Sequence, residues 1–386
     1  MTAVPRIAIL THSTNPRGGV VHALELGDAL TRLGLEATVL APDIDRNGFF
    51  RRTLCATSCV PASPAGRDTR AMVETRVADY VRYFEDPDNR RFDIWHAQDG
   101  ISANALGILK ERGFISGFGR TVHHVDAFED ERLIALQRRS IMAADQLFVV
   151  SELWRDWLAR EFKRDACIVG NGVDRKRFSP QPDDTDAELR EELGLRPSET
   201  VFLAIGGVEE RKTTVRLLRA FLAVRLQIAE SRLVIAGGAS ILDHGAYQAQ
   251  FVGVLSHAGD TAAAVMRTGP LRQRLMPALY RAASCLVCAS MKEGFGLVVL
   301  EAMASGVPAV VSGIAPFTEY LGGDDALWCD PSDVSSIAAA MMRSVDRAQR
   351  ALLFERGMRL AAQHDWISVA KAHVAAYQKL RDKIYA

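Results

Sequence analysis

Residues 285–312, CLVCASMKEGFGLVVLEAMASGVPAVVS, contain the stretch that decides the fold of this chain. The stretch opens with an apolar run, Cys285–Ser290, and closes with a second one, Val307–Ser312. Short apolar runs of this kind predict buried strands, and the glycines between them lead from a loop into a helical segment. A strand, a helix and a second strand in this order predict a βαβ unit with parallel strands.

The same alternation of strands and helix-length segments extends through the chain in two series. In the first half, strands are predicted at Arg6–Leu10, Glu36–Ala41, Phe92–His96, Arg120–His123, Gln146–Val150 and Ala166–Val169. In the second half, they are predicted at Val201–Ile205, Arg232–Ala236, Ala264–Thr268, Cys285–Ser290, Val307–Ser312 and Ala326–Cys329. Asp45–Gly66 contains two prolines and is expected to be an excursion loop, and the polar, acidic stretch Pro180–Ser198 a linker.

These two series predict an α/β chain with two doubly wound, Rossmann-like parallel-sheet domains. A length of 386 residues agrees with two domains. We expect the N-terminal domain over residues 1–172 and the C-terminal domain over residues 173–365, facing a central cleft. Because ligands bind outside the carboxyl ends of the strands in such sheets, residues just after each strand are the first candidates for function.

Composition excludes several classes of protein. The 47 Lys and Arg residues balance 47 Asp and Glu residues, which argues against a dedicated nucleic-acid-binding protein. No run of 18 apolar residues predicts a transmembrane helix, and six cysteines do not make a disulfide framework. Cys285 and Cys288 form a C-x-x-C pair without a partner pair at zinc spacing, so buried thiols are expected. We therefore expect a cytoplasmic enzyme, from a bacterium.

Three turns in the first half carry candidate residues. Gly18 and Gly19 follow the first strand, where glycines let the backbone approach a ligand and a helix N-terminus favours an anion. A plain tight turn is the alternative, since the G-x-G-x-x-G dinucleotide fingerprint is absent. The segments His96-Ala97-Gln98-Asp99 and His123-His124-Val125-Asp126 end two further strands, and both place His and Asp at one edge of the sheet.

Two turns in the second half carry further candidates. Arg211 and Lys212 stand where a helix is predicted to begin, and a bound phosphate would offset their unfavourable interaction with the helix dipole. A solvated pair of charges is the alternative. Glu293 and Glu301 are eight positions apart and would not align on one helix. The glycines after Glu293 instead predict a loop whose amides favour a diphosphate, with Glu301 in the helix and able to accept hydrogen bonds from a ribose diol.

The block Glu293-x₇-Glu301, with Gly-Phe-Gly and Glu-Ala-Met-Ala-x-Gly-x-Pro-x-Val, resembles the donor-site signature of the family 4 glycosyltransferases. These are retaining enzymes of the GT-B type. Other motifs occur in family order: Gly18-Gly19, Thr121-Val122-His123, Asn171-Gly172-Val173-Asp174, Arg211-Lys212 and Asp330-Pro331-Ser332-Asp333. The resemblance covers most of the chain, and it implies that the last helix, residues 366–386, crosses back to the N-terminal domain.

The resemblance also implies roles for single residues. Lys212 and Arg211 would bind the pyrophosphate of a nucleotide sugar, such as a UDP- or GDP-sugar, with Gly18 and Gly19 close to the phosphates. Glu301 would bind the ribose. Contacts to the donor sugar are expected from Glu293, Gly294, Phe295, Gly296 and Leu297. His123 would lie near the anomeric carbon, so that the catalytic candidates are His123, Lys212 and Glu293. Candidates on the acceptor side are His96, Asp99 and His124.

The chain departs from the family at Gly207, where the family usually has an arginine. One phosphate-binding cation is therefore missing or supplied from elsewhere. No Asp-x-Asp motif follows a suitable strand, so neither a metal ion nor a cofactor is expected beyond the nucleotide sugar. The acceptor stays open and could be a glycan, a lipid or a small molecule. For the last helix, contact with a membrane is the alternative to packing on the N-terminal domain.

Other functions stay open on the same fold. They are a sugar-nucleotide epimerase, a disaccharide phosphorylase and a non-catalytic protein that binds a nucleotide sugar.

Overall fold

The apolar runs form two parallel sheets in the computed structural model, which describes residues 4–66, 68–238 and 244–385. The chain divides into two units: Met1–Asn171 together with Trp366–Ala386, and Gly172–Asp365. Each unit has its own sheet and its own apolar core. No helix in the described part of the chain combines the length and the apolar character needed to cross a bilayer.

The first unit contains a seven-stranded parallel sheet in the order β3-β2-β1-β4-β5-β6-β7. Its strands are β1 (Arg6–Leu10), β2 (Glu36–Asp43), β3 (Ala56–Pro61), β4 (Ile94–Ala97), β5 (Gly119–Val122), β6 (Gln146–Val149) and β7 (Ala166–Ile168). The helices between them are α1 (Gly18–Arg32), α2 (Thr69–Glu85), α3 (Gly100–Glu111), α4 (Glu131–Met142) and α5 (Glu152–Phe162). Strand order reverses between β1 and β4, so the loops that follow these two strands diverge at one point of the carboxyl edge.

The second unit contains a six-stranded parallel sheet in the order β10-β9-β8-β11-β12-β13. Its strands are β8 (Thr200–Ile205), β9 (Ser231–Ala236), β10 (Val265–Gly269), β11 (Cys285–Cys288), β12 (Ala309–Ser312) and β13 (Leu327–Cys329). Its helices are α6 (Thr185–Glu192), α7 (Thr214–Arg225), α8 (Gly245–Ser256), α9 (Met276–Ala282), α10 (Leu297–Ala304), α11 (Phe317–Tyr320), α12 (Val334–Ser344) and α13 (Arg347–Gln363). Here the strand order reverses between β8 and β11.

The last helix, α14 (Trp366–Tyr385), packs against α1 in the first unit. Trp366, Ala370, His373, Tyr377 and Leu380 are all buried, and their spacing of three or four residues places them on one face of the helix. The chain therefore returns to its first unit, as the resemblance implies. This face brings two polar aromatic side chains, His373 and Tyr377, into the core.

The expected excursion loop contains a strand that the sequence pattern does not reveal. Residues Ala56–Pro61 form β3, which pairs with β2 along one side only. As an edge strand, β3 is largely exposed and has no continuous apolar run. The prediction of a loop over the whole of Asp45–Gly66 is therefore wrong for these six residues.

The expected linker Pro180–Ser198 is also wrong in part, because it contains α6 and belongs to the second unit. The acidic residues that suggest a solvated linker instead pair with arginines around α9. Asp186 lies 2.8 Å from Arg281, and Glu188 lies 2.8 Å from Arg272. Leu189 of the same helix is buried. Both this apolar side chain and the ion pairs therefore hold α6 against the second unit.

Candidate active site

The reversal of strand order in the second unit brings Lys212 and Glu293 together. Lys212 lies in the turn after β8, and Glu293 lies in the loop after β11. The Lys212 ammonium donates a hydrogen bond to Glu293 Oε1, and the Ser290 hydroxyl donates to the same oxygen at 2.7 Å. Arg211 Nη1 lies 3.6 Å from Glu293 Oε2. The backbone fixes this arrangement, since the Met291 amide donates to the Arg211 carbonyl at 2.8 Å.

Glu293 is a buried carboxylate that stays ionised. Burial of the group raises its pKa, but Lys212, Arg211 and the hydrogen bond from Ser290 together outweigh burial and lower the pKa below its ordinary value. The side chain of Lys212 is 15% exposed, whereas that of Arg211 is 45% exposed. An ammonium group has three N–H donors and a guanidinium has five, so both cations keep donors for an anionic ligand.

The helix α10 begins shortly after Glu293, and no side chain caps its N-terminus. Its N-cap is Gly296, which has a φ of +92° and supplies no side chain to cap the helix. A Cβ atom there would lie 2.4 Å from Phe317 Cε1, so both the backbone conformation and the space require glycine. Phe295 stacks on Tyr320 with ring centroids 4.6 Å apart, which holds the loop in place. The N-terminus of α10 and the two cations favour an anion at this point.

Glu301 lies farther along α10 and is held by Tyr280, a residue that sequence reasoning missed. The Tyr280 hydroxyl donates to Glu301 Oε2 at 2.6 Å. Burial raises the pKa of Glu301 above its ordinary value, although Tyr280 and Arg177 both lower it. Tyr280 itself is fully buried in the apolar face of α9, where an aromatic residue gives no sign that it bonds a carboxylate.

A small cavity borders the position where the family usually has an arginine. Its volume is about 20 Å³, and Gly206, Gly207, Lys212, Thr214 and Ser290 are among the residues that line it. Such a volume holds about one water molecule.

In the first unit, the glycine turn after β1 lies against His123. Gly18 begins α1, and Arg17 before it provides no side-chain cap. A Cβ atom on Gly19 would lie 3.4 Å from His123 Cδ2, so these two sequence candidates are neighbours. The glycine at position 19 thus leaves just enough room for the imidazole.

The acceptor-side candidates have different surroundings. Asp99 caps α3 by accepting a hydrogen bond from the Ser102 amide at 2.9 Å, and its Oδ2 lies 3.5 Å from His12 Nδ1. His124 is half exposed, with Nε2 3.3 Å from Asp126 Oδ1. His124 is therefore open to a ligand in part, whereas Oδ2 of Asp99 is buried.

His96 is fully buried, and both of its ring nitrogens have partners. Nε2 lies 2.7 Å from the Thr121 hydroxyl, and Nδ1 lies 2.8 Å from the Tyr377 hydroxyl. In this structure both ring nitrogens of His96 are therefore engaged by side chains of the protein. His123, in contrast, is only partly buried. Its Nε2 lies 2.9 Å from Gln98 Oε1.

Replacing Gly18 with alanine separates a structural role of this glycine from a functional one. No atom lies within 4 Å of the added Cβ, so the unfolding free energy should change by less than about 0.5 kcal/mol. If a phosphate approaches the backbone here, the methyl group will lower kcat/KM. Thermal unfolding and steady-state kinetics check the two effects. An unchanged kcat/KM would show that no substrate group comes close to Gly18.

The chain matches two family descriptions over most of its length. Residues 16–177 match Glycosyltransferase Family 4, and residues 185–352 match Glycosyl transferases group 1. The O-antigen chain mannosyltransferase B of Escherichia coli is 31% identical over 46% of this chain and 45% of its own length. The D-inositol 3-phosphate glycosyltransferase of a Nocardioides species is 30% identical over 67% of this chain and 59% of its own length. The chain thus spans about half the length of these two relatives.

Solved structures share the fold over nearly the whole chain. The sucrose-phosphate synthase of Thermosynechococcus elongatus has a TM-score of 0.80 at 22% identity, with 98% of this chain and 99% of that one covered. The Anabaena protein HepE, in complex with UDP and glucose, has a TM-score of 0.77 at 17% identity, with 97% and 99% covered. The two Rossmann-like units are those of a GT-B fold, and the chain belongs to glycosyltransferase family 4.

Proposed function

We propose that this protein transfers a sugar from a nucleoside diphosphate sugar to an acceptor hydroxyl, with retention of the anomeric configuration. The proposal rests on one observation: Lys212 and Arg211 both contact Glu293, and the N-terminus of α10, which no side chain caps, follows Glu293 directly in the same loop. Cations and amides converge there at the switch point of a parallel sheet, where such sheets bind ligands. This is the arrangement that a diphosphate requires.

The reaction breaks the bond between the anomeric carbon and a phosphate oxygen and forms a bond from that carbon to the acceptor oxygen. Negative charge collects on the departing diphosphate, and preplaced cations and amides stabilise it. The acceptor attacks from the face that the diphosphate leaves, and its proton passes to the departing phosphate oxygen. Glu293 holds Lys212 in position and accepts hydrogen bonds from the donor sugar.

Arg211 supplies the cation that the family usually has at position 207. Its guanidinium lies 3.2 Å from Glu209 Oε2 and 3.6 Å from Glu293 Oε2, and it is 45% exposed. A guanidinium suits the forked geometry of phosphate oxygens. Gly207 is therefore compatible with a working donor site.

The comparisons support the class of donor. HepE was solved with UDP and glucose, and the two relatives described above are named as a mannosyltransferase and an inositol phosphate glycosyltransferase. Each of these proteins is described by its name or title as one that transfers or binds a sugar. They support a nucleotide sugar as the donor and leave its base and its sugar to experiment.

A donor screen tests the proposal. The protein is incubated with a panel of UDP-, GDP- and ADP-sugars and a mixture of acceptors, and release of the nucleoside diphosphate is measured together with the configuration of the product. Release that depends on the acceptor, with a retained anomer, is expected. Binding of a nucleotide sugar without release under any of these conditions would favour a non-catalytic binding protein.

Replacing Tyr280 with phenylalanine should weaken donor binding through Glu301. The lost hydrogen bond to a carboxylate, worth about 1.5–3 kcal/mol, should lower the free energy of unfolding, and the Kd of the donor should rise because Glu301 is no longer held in one position. Without the tyrosine donor the pKa of Glu301, which burial already raises, rises further. Because the ribose diol needs the ionised carboxylate, binding in the variant should be lost at a higher pH than in the parent. Calorimetric titration with the nucleoside diphosphate across pH checks both effects.

Tyr247 provides the matched control in the same unit. Its hydroxyl accepts a hydrogen bond from the Val215 amide at 2.9 Å and does not contact Glu301. Replacing Tyr247 with phenylalanine should therefore cost stability without changing the pH dependence of donor binding. Equal effects of the two variants on donor binding would contradict the role of Tyr280.

A further inference from the structure

A buried glutamine lies among the histidines at the carboxyl edge of the first sheet. Gln98 follows β4 and is 2% exposed. Its Oε1 lies 2.9 Å from His123 Nε2, and its Nε2 lies 3.4 Å from His96 Nε2. The amide thus presents its oxygen to His123 and its nitrogen to His96.

The contact with Gln98 decides which nitrogen of His123 carries the proton. An amide oxygen can only accept a hydrogen bond, so His123 Nε2 must donate. A neutral imidazole has a single N–H, and Nδ1 is then an unprotonated acceptor. Among the residues that the structure describes, none hydrogen-bonds His123 Nδ1. The edge of the ring that carries Cδ2 and Nε2 is occupied by Gly19 and Gln98, and Nδ1 is not on that edge.

The surroundings keep the His123 imidazole neutral. Burial, together with the neighbouring His124, lowers its pKa to about 3, although Asp99 acts in the opposite sense. The titratable and charged groups around His123 come from its own strand end, α1, β4, the N-terminus of α3, β5 and α14; they are His124, His22, His96, Asp99, Arg120 and His373. A neutral ring with one fixed N–H has one donor and one acceptor, each with a defined direction.

We propose that Gln98 is a positioning residue that holds His123 in the tautomer with the proton on Nε2, so that Nδ1 accepts a hydrogen bond from a substrate hydroxyl. The proposal rests on the proposed function and on the place near the anomeric carbon that the family resemblance implies for His123. Gln98 is itself held by further side chains. Its amide nitrogen contacts His96, and His96 in turn forms a hydrogen bond with Tyr377 of α14. The last helix therefore supports the orientation of His123.

The tautomer can be measured without any substrate. In the full chain labelled with nitrogen-15 histidine, long-range proton–nitrogen correlations report the protonated nitrogen of each ring, and His123→Asn identifies the signals of His123. We expect Nε2 to be protonated and Nδ1 to be bare at neutral pH. In Gln98→Leu the preference for Nε2 should be lost, and kcat should fall by up to about 100-fold because the acceptor is no longer fixed.

Gln98→Glu distinguishes positioning from packing. A carboxylate still accepts from Nε2 but stabilises the imidazolium, so the pKa of His123 should rise by about 1–3. The acidic limb of the kcat/KM profile should then move to higher pH, which a purely structural role of Gln98 would not cause. Gln146→Leu removes another buried glutamine of this sheet and should leave the His123 tautomer as it is.

Two results would overturn the inference: a proton on Nδ1 in the parent protein, or an unchanged tautomer in Gln98→Leu. Should Gln98→Leu fail to fold, the parent spectrum and Gln98→Glu still decide the question. Failure of the proposed function looks different, because the tautomer would be as expected while no nucleotide sugar is consumed.

Discussion

Replacing Lys212 with alanine is expected to lower kcat about 10²–10³-fold and to change the Kd of the donor much less. The reason is that charge collects on the diphosphate as the sugar leaves, so the ammonium interacts more strongly with the transition state than with the bound donor. Lys212 is well placed for this, since it is largely buried and Glu293 fixes its ammonium. Single-turnover kinetics and equilibrium binding of the nucleotide sugar measure the two quantities separately.

The same substitution also removes the nearest cation from Glu293. The pKa of Glu293 should rise as a result, because burial is then opposed mainly by Arg211 and the Ser290 hydroxyl. Kinetics are therefore measured in mildly alkaline buffer, where Glu293 stays ionised in both proteins. Under these conditions a loss of turnover reflects the missing ammonium and not a protonated carboxyl group.

Lys110 is the matched control for Lys212. It is a partly buried lysine in the first unit whose Nζ lies 2.6 Å from Asp145 Oδ1, so its replacement by alanine also breaks an ion pair. We expect a loss of stability with kcat unchanged. A kcat of Lys212→Ala within a few-fold of the parent value would show that this lysine does not stabilise the departing group.

The fold follows from the sequence because parallel strands buried on both faces consist of apolar runs. Five of the six strands of the second sheet coincide with such a run, and all six are predicted with errors of one or two residues at the ends. The sixth, β10, is an edge strand in which no residue is fully buried. The apolar pattern predicts elements less well when their side chains are only partly buried. β3 is an edge strand without a continuous apolar run, and the acidic face of α6 is neutralised by arginines some 80–95 positions away in the chain. Neither the pairing of β3 nor the neutralisation of α6 can be predicted from neighbouring residues in the sequence.

The candidate site was predictable to the extent that its residues follow strands directly. Lys212, Glu293 and His123 each lie in a turn after a strand, and the sheet alone brings the first two together. Their supporting partners could not be found in this way. Tyr280 lies in the apolar pattern of α9, and Tyr377 contacts His96 across 281 positions of sequence. For Tyr377 the sequence does contain a signal of burial, because Tyr377 lies on the same apolar face of α14 as His373.

Three buried histidines and the partly buried His123 make the first unit sensitive to acid. Burial lowers the pKa of His22 and of His96 well below the ordinary value, and it lowers the pKa of His123 to about 3 and of His373 to about 4. The rings are close to one another, with centroids 4.8 Å apart for His22 and His123 and 5.4 Å apart for His96 and His373. Within the described part of the chain, His373 Nε2 has no hydrogen-bond partner, so a proton added there would be unpaired.

The sign of the pH dependence follows from these pKa values. An unfolded histidine binds its proton near the ordinary pKa of 6.5, whereas folded His373 stays neutral down to about 4. Between these values the unfolded chain binds more protons, so the free energy of unfolding falls as the pH falls. At about pH 5 the loss is about 2 kcal/mol for His373 and about the same for His123. His22 and His96 act in the same direction, and the total is a large part of the 5–15 kcal/mol typical of a folded protein.

Urea unfolding followed by tryptophan fluorescence between about pH 8 and pH 5 tests this expectation, because carboxyl groups contribute little in that range. Of the five tryptophans, Trp95, Trp154, Trp157 and Trp366 belong to the first unit, so the signal reports mainly on that unit. His373→Met keeps the side-chain volume and removes one titrating group, and it should make the pH dependence shallower. His257→Gln changes an exposed histidine of the second unit and should leave it unchanged. A midpoint that stays constant from pH 8 to pH 5 would mean that the four imidazoles take up protons without cost in the folded state, and that His123 is not held neutral by its surroundings.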